Sequence, residues 1–301
     1  MWFLYAVATL VAWSVADLFY KKGAKENDKY SHLKTGIMVG LVMGLHATFY
    51  LLTNDINFKV IDLIKYLPVS FFYILSMVIG YKGLRYIELS IASPIQNCSG
   101  IITSLLLLVI FKETITGIDS IGMLFMTCGV VYLSLLERKK EKAEREKRAD
   151  LKKIIGFTAL LFPLFYCVLD GMGTFLDAIY LDKLNLISED AGLIAYEYTF
   201  FLYGAILFIY LRFFKKETIG FISEKEKVAA AVFETIGQFF YVFALSGNST
   251  LACPIVACYS MGSVLLSRIF LKEKLMGKEY VALILVMIGI LIFGISEGLA
   301  G

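Results

Sequence analysis

Five carboxylates stand inside long apolar runs of this chain: Asp17, Asp170, Asp177, Glu197 and Glu234. An ionised carboxylate at the centre of a lipid-spanning helix costs roughly 2.5–3.5 kcal/mol, so it faces a cavity or a partner. Asp170 and Glu234 lie nearest mid-run, whereas Asp17 and Asp177 lie toward run ends. No Lys or Arg stands mid-run beside them, since Lys82, Arg85 and Arg268 are all close to ends. Such an interior either holds protons or receives a cation. Trp13 and Asp17 are spaced i, i+4; Tyr166, Asp170 and Asp177 follow at i, i+4, i+11; Glu234, Gln238 and Tyr241 at i, i+4, i+7. Each set falls on one side of a helix. Aromatic faces beside carboxylates suit an organic cation, and each desolvated cation–π contact adds about 2 kcal/mol. Asp17, Asp170, Glu234 and Gln238 are therefore the candidate polar contacts, and Trp13, Tyr166 and Tyr241 the candidate walls.

A plainer reading stands beside each of these. Asp170 and Glu234 also suit helix–helix hydrogen bonding, and Asp17 and Asp177 suit structural or interfacial roles. Glu197, flanked by Tyr196 and Tyr198, sits on a run that can face the periphery. The stripe Tyr196, Tyr203, Tyr210 is expected to face lipid or a neighbouring helix.

The elements that must position these residues are membrane helices. The chain has 301 residues, 58% hydrophobic and 18% charged, with mean hydropathy +0.74. Soluble domains are nearer half apolar and a quarter charged. This composition excludes a soluble globular enzyme, a disordered chain and a disulfide scaffold. Ten apolar runs are expected to span the bilayer: 2–20, 33–53, 65–86, 90–111, 118–136, 154–181, 191–212, 227–246, 249–270 and 279–297. Within lipid their backbones must bond internally. Met1 to Leu18 lacks a basic start and a cleavage site, and reads as a retained first span. The long polar insert 137–153 is charged and reads as a solvated linker that can be helical. Lys and Arg number 25 in the linker and the connections after odd-numbered runs, against 4 on the other side. That split places the linker in the cytoplasm of a cell-membrane protein, with both termini outside.

A shift of 160 residues maps the chain onto itself. Ala92-Ser93-Pro94-Ile95 falls on Ala252-Cys253-Pro254-Ile255, Lys112-Glu113 on Lys272-Glu273, and Gly129 on Gly289. Asp17 falls on Asp177, Tyr20 on Tyr180, and Tyr81 on Tyr241. Five spans per half is an odd number, so the halves insert with opposite orientations, as in alternating-access transporters. The expected fold is an all-α membrane protein of ten transmembrane helices in two inverted five-helix repeats. Residues 1–137 form the first repeat, 138–153 a cytoplasmic linker and 154–301 the second repeat.

These residues carry a family resemblance. A small-x-Pro helix entry, an apolar run ending in Lys-Glu and a Gly-containing span resemble the EamA type of the drug/metabolite transporter superfamily. Gly83 to Ser134 and Phe243 to Gly294 carry it. The resemblance implies a secondary transporter whose cavity is lined by the first, third and fourth helices of each half. Members are often drawn with cytoplasmic termini; the Lys and Arg count here says the opposite.

The fourth run offers a face of Ser93, Asn97, Gly100 and Ser104, and the ninth one of Cys253, Ala257, Ser260 and Val264. Small residues allow close helix approach, and Asn97 and Ser260 are expected to offer hydrogen bonds into the cavity. Pro94 and Pro254 are expected in the first turn of their helices, where a missing N–H costs nothing. The five cysteines lie apart in apolar runs and the two histidines are too few for a metal centre. No catalytic or phosphate-binding motif is visible, so no enzyme activity, cofactor, metal or nucleic-acid partner is expected. The leading expectation is an alternating-access carrier, monomeric or homodimeric in the bilayer. Its solute is a quaternary amine, a polyamine or an amino-acid-like metabolite, with the proton as candidate coupling ion. The alternatives are a carrier of neutral or anionic metabolites, and a membrane scaffold or lipid-translocating protein.

Overall fold

The computed structural model describes residues 1–25, 28–83, 98–112, 114–147, 157–270 and 277–300. These residues are helical nearly throughout, with no strand among them. In chain order the helices are α1 (Trp2–Gly23), α2 (Ser31–Thr53), α3 (Val60–Gly83), α4 (Cys98–Phe111), α5 (Gly117–Lys147), α6 (Phe157–Ala178), α7 (Glu189–Ile209), α8 (Lys225–Val256), α9 (Tyr259–Phe270) and α10 (Gly277–Ala300). Single π-helical turns, Ile179–Lys183 and Tyr210–Phe214, extend α6 and α7. Among the described residues, seven helical stretches are long and apolar enough to cross a membrane, and Cys98–Phe111 and Gly117–Leu133 are shorter apolar helices. The outer surface carries exposed Leu45, Phe49, Leu202, Ile206, Ile284 and Leu291, as a lipid-facing surface requires. α5 continues to Lys147, so the start of the charged insert prolongs that helix.

Short polar caps fix where the helices begin. Ser188 Oγ accepts from Ala191 N at 3.4 Å, and Glu189 and Asp190 fill the first turn of α7, where negative charge meets the positive helix end. Before α5, Thr116 Oγ1 accepts from Asp119 N at 3.1 Å and donates to Asp119 Oδ2 at 2.7 Å.

α8 contains a break. Asn248 is extended, with φ −170° and ψ 87°. Its Oδ1 accepts from Leu251 N at 3.1 Å. Asp182 Oδ2, on the turn after α6, accepts from Ser249 N at 2.9 Å and Ser249 Oγ at 2.6 Å. A new helical segment therefore starts at Ser249. Pro254 stands in its second turn, not the expected first, so its missing N–H leaves the Thr250 carbonyl without its usual intrahelical donor. Ser104 Oγ of α4 donates to that carbonyl. The segment stops at Ala257–Cys258 before α9 resumes, so the run 249–270 is broken in the middle. Pro94 lies outside the described residues.

The helices pack in recurring pairs: α1 on α8, α3 on α6, α2 on α7, α5 on α10, α1 on α9 and α4 on α6. Between α5 and α10 two glycines set the separation. A Cβ at Gly129 would lie 2.6 Å from Val286 Cγ2 and 2.9 Å from the Ala282 carbonyl. One at Gly289 would lie 2.5 Å from Met126 Cγ and 2.7 Å from the Gly122 carbonyl. Small residues let helix backbones approach where lipid supplies no hydrophobic drive.

Candidate functional site

α1, α3, α4, α6, α7, α8 and α9 surround a cavity of about 1000 Å³, counting the part open to solvent. Trp13, Asp17, Tyr166, Asp170, Glu234, Gln238 and Tyr241 all line it. Seven residues singled out from sequence thus come together in one place; the eighth, Asn97, lies outside the described residues. Among the described residues, the lining includes no Lys, Arg or His.

The carboxylates come from three helices. Asp170 Oδ2 of α6 accepts from Ser99 Oγ of α4 at 2.7 Å. Glu234 of α8 lies within electrostatic reach of both Asp170 and Asp17. Three like charges in a low-dielectric cavity repel, so a proton or a cationic group must neutralise them. Among the described residues, no group of His, Cys, Asp and Glu is placed to hold a metal ion.

The aromatic walls are built by close packing. The Trp13 ring centroid lies 5.0 Å from that of Tyr241 and 5.9 Å from that of Tyr259. Trp13 Nε1 donates to the Glu234 carbonyl at 3.3 Å. The Cδ1–Nε1 edge of the indole sits against Gly237, where an added Cβ would come within 2.2 Å of Trp13 Cδ1 and 2.4 Å of Nε1; only glycine leaves room for this placement. Tyr20 and Tyr81 face each other at 5.1 Å. Tyr20, Tyr73, Tyr81, Tyr196 and Tyr259 line the cavity without having been marked by the sequence. Tyr196 also packs against Tyr73 of α3, ring centroids 5.6 Å apart, so it faces a neighbouring helix as well as the cavity. Tyr203 and Tyr210 do not line the cavity, and Tyr210 is exposed. Ser260 is buried but is not among the lining residues, whereas Ser99, Gly100, Cys253 and Ala257 are.

The two ends of the cavity differ. At the α6 C-terminal end, Asp177 is fully buried and accepts from Tyr66 OH. Tyr73 OH lies 3.5 Å from Asp177 Oδ2, 3.1 Å from Thr174 Oγ1 and 2.8 Å from Tyr241 OH. This cluster ties α3, α6 and α8 together, and Asp177 does not line the cavity. At the α1 C-terminal end stand Asp17, Tyr20 and Tyr81. There Asp17 Oδ2, Tyr20 OH and Tyr81 OH are buried without a hydrogen-bond partner among the described residues, as is Gln238 Nε2.

Beyond that end, ion pairs link the loops. Glu224 receives Lys25 Nζ at 3.0 Å and also pairs with Lys227; Lys34 Nζ lies 2.7 Å from Asp28 and 3.5 Å from Glu217. Burial opposes the charge on Glu224, but bonds from Lys227 and Lys25 hold its pKa below the usual glutamate value. Asp28 is likewise held low, its burial outweighed by the Lys34 hydrogen bond and the Tyr30 backbone N–H. Glu197 sits apart, between α7 and α2, with His46 Nδ1 at 2.9 and 2.8 Å from its two oxygens.

Comparison with known proteins supplies a family. The model of the EamA-like transporter family matches residues 1–135 and 186–295. One of 28 matching solved chains, titled "Crystal structure of protein", superposes with TM-score 0.63 at 14% identity, covering 95% of this chain and 96% of that one. That likeness is one of fold. No curated protein matches.

Proposed function

This chain belongs to the EamA-like transporter family, whose members are membrane transporters of small solutes, and from that premise we propose that it carries a small organic cation or zwitterion by alternating access. The observation that carries the reading is one cavity holding Asp17, Asp170 and Glu234 among aromatic rings, with no basic side chain among the described residues of its lining. A positively charged nitrogen meets both needs of such a site: it neutralises carboxylates and rests on ring faces. A phosphorylated or other anionic solute meets neither.

Alternating access rests on the internal repeat. The shift of 160 residues carries Gly122, Met126 and Gly129 onto Ala282, Val286 and Gly289, and these residues form the α5–α10 crossing in a self-reciprocal way. The same shift exchanges the α1–α8 pair with α6–α3, and α1–α9 with α6–α4. These pairings favour two inverted five-helix halves, 1–137 and 154–301, joined by 138–153, with ten spans in all. In this arrangement Asp177 with Tyr241 and Asp17 with Tyr81 are equivalent pairs. The first is hydrogen-bonded by Tyr66 and Tyr73, whereas in the second Asp17 Oδ2 and Tyr81 OH have no hydrogen-bond partner among the described residues, an asymmetry that fits a carrier held in one of its two conformations. The Lys and Arg distribution puts the Asp17 end at the cytoplasm. Proton and cation then compete for the same carboxylates, which is the simplest route to coupling.

A ligand screen on purified protein tests the reading, because a solute that binds the folded state raises Tm. Ammonium compounds such as choline, putrescine or lysine are expected to raise it, and their anionic counterparts are not. Stabilisation by anionic solutes alone would overturn the proposal.

A further inference from the structure

The carboxylates account for a positive charge in the cavity but leave other buried polar groups there unexplained, the Gln238 amide among them. Gln238 lines the cavity on α8, only 1% of it is exposed, and its Nε2 has no hydrogen-bond partner among the described residues. Buried polar groups in folded proteins are almost always bonded, so an orphan asks for a ligand or a trapped water. An amide nitrogen only donates. A bare ammonium ion also only donates, and cannot satisfy it. The partner must present an acceptor.

Gln238 and Glu234 are one turn apart on α8, about 6 Å along its axis. Trp13 fixes the level of Glu234 through its bond to the Glu234 carbonyl and its contact with Gly237. Tyr20 and Tyr81, their ring centroids 5.1 Å apart, line the same cavity.

We propose that Gln238 is the specificity-determining residue, donating its amide N–H to an acceptor oxygen of a solute whose positive nitrogen lies at Glu234. The substrate class is then an ammonium compound bearing a carbonyl, amide or carboxylate oxygen within about one helical turn of its charge. Simple alkylammonium ions and diamines fit the charge but leave the Gln238 donor buried and unpaired. This inference rests on the cationic reading of the cavity and adds to it the polarity of the rest of the solute.

The test compares two probes that share a ring and an ammonium group: phenylalaninamide and phenethylammonium, which lacks the carboxamide. The chain has two tryptophans, so a Trp2→Phe background leaves Trp13 as a reporter in the cavity wall, read by fluorescence quenching. Phenylalaninamide is expected to bind about 5- to 150-fold more tightly, the range set by pairing a buried donor. In Gln238→Met that preference, read as the ratio of the two affinities in the same variant, should collapse to within about twofold, with an unchanged Tm reporting an intact fold. Gln238→Glu, which keeps the length but replaces the donor with an acceptor, should lose the preference as well. Equal affinity of the two probes in the parent protein would overturn the role of Gln238 while leaving the cation site standing. A preference that survives both substitutions would do the same. Failure of both probes to quench Trp13 at millimolar concentration would remove the cation site, and this inference with it.

Discussion

Tyr66→Phe probes the closed end of the cavity with little change of shape. Tyr66 is fully buried, and its ring stacks edge-on to Tyr180 at 5.8 Å, contacts that phenylalanine keeps. The substitution deletes the hydroxyl that donates to Asp177 Oδ1. A buried acceptor stripped of its donor costs about 1–3 kcal/mol. On the alternating-access proposal the opposite conformation admits water to Asp177, and the cost is absent there. The equilibrium should therefore move about 5- to 150-fold toward that conformation. The reporter is Met77→Cys, in the cavity wall but outside the seal, in a background with the five native cysteines replaced. With the parent seal, an impermeant maleimide should label it from the α1 C-terminal side. With Tyr66→Phe, labelling from the other side should accelerate by that factor. Unchanged sidedness in a protein of unchanged stability would refute the claim that this cluster holds one end shut.

Three further outcomes follow from other parts of the structure. Ala143→Cys in the same cysteine-free background should label only from the cytoplasmic side; labelling of intact cells would reverse the orientation drawn from Lys and Arg. Gly289→Ala, which forces a Cβ to 2.5 Å from Met126 Cγ, should lower stability by about 1–3 kcal/mol, read as a fall in Tm. Gly298→Ala, with nothing within 4 Å of the added Cβ, should leave Tm nearly unchanged. Glu224 and Asp28 have depressed pKa values, so their contribution is present above their ordinary values of 4.5 and 3.8 and is lost as pH falls through the lower folded-state values. Acid should destabilise the α1–α8 end, and Glu224→Gln should shallow that acid limb in a Tm-against-pH series.

The sequence makes Asp17, Asp170 and Glu234 visible because charge in an apolar run is costly wherever it faces lipid. Their helical spacing to Trp13, Tyr166, Gln238 and Tyr241 makes the accompanying face visible too. It ranks Asp170 above Asp177, seven residues on, by depth in the run alone, and gives no partner that would distinguish them. What separates them is Tyr66 on another helix, which satisfies one and not the other. Glu197 is settled in the same way by His46 across the α2–α7 contact. The additional tyrosines, Tyr20, Tyr73, Tyr81, Tyr196 and Tyr259, are hidden because an aromatic residue is at home in lipid, in a core or in a cavity wall. Pro254 misleads because proline favours a first turn, and the cap that starts this helix, Asn248, is recognisable only by its own backbone. Asp182, which completes that cap, arrives from a distant part of the chain.

The most direct test of the account is cation uptake into proteoliposomes by the parent protein and by Asp170→Asn and Glu234→Gln, each checked for folding by its Tm. Loss of uptake in at least one folded variant, together with loss of competition between cation and proton across pH, is the predicted result. Full cation uptake by both neutral variants would contradict the claim that the carboxylates of this cavity bind the transported charge.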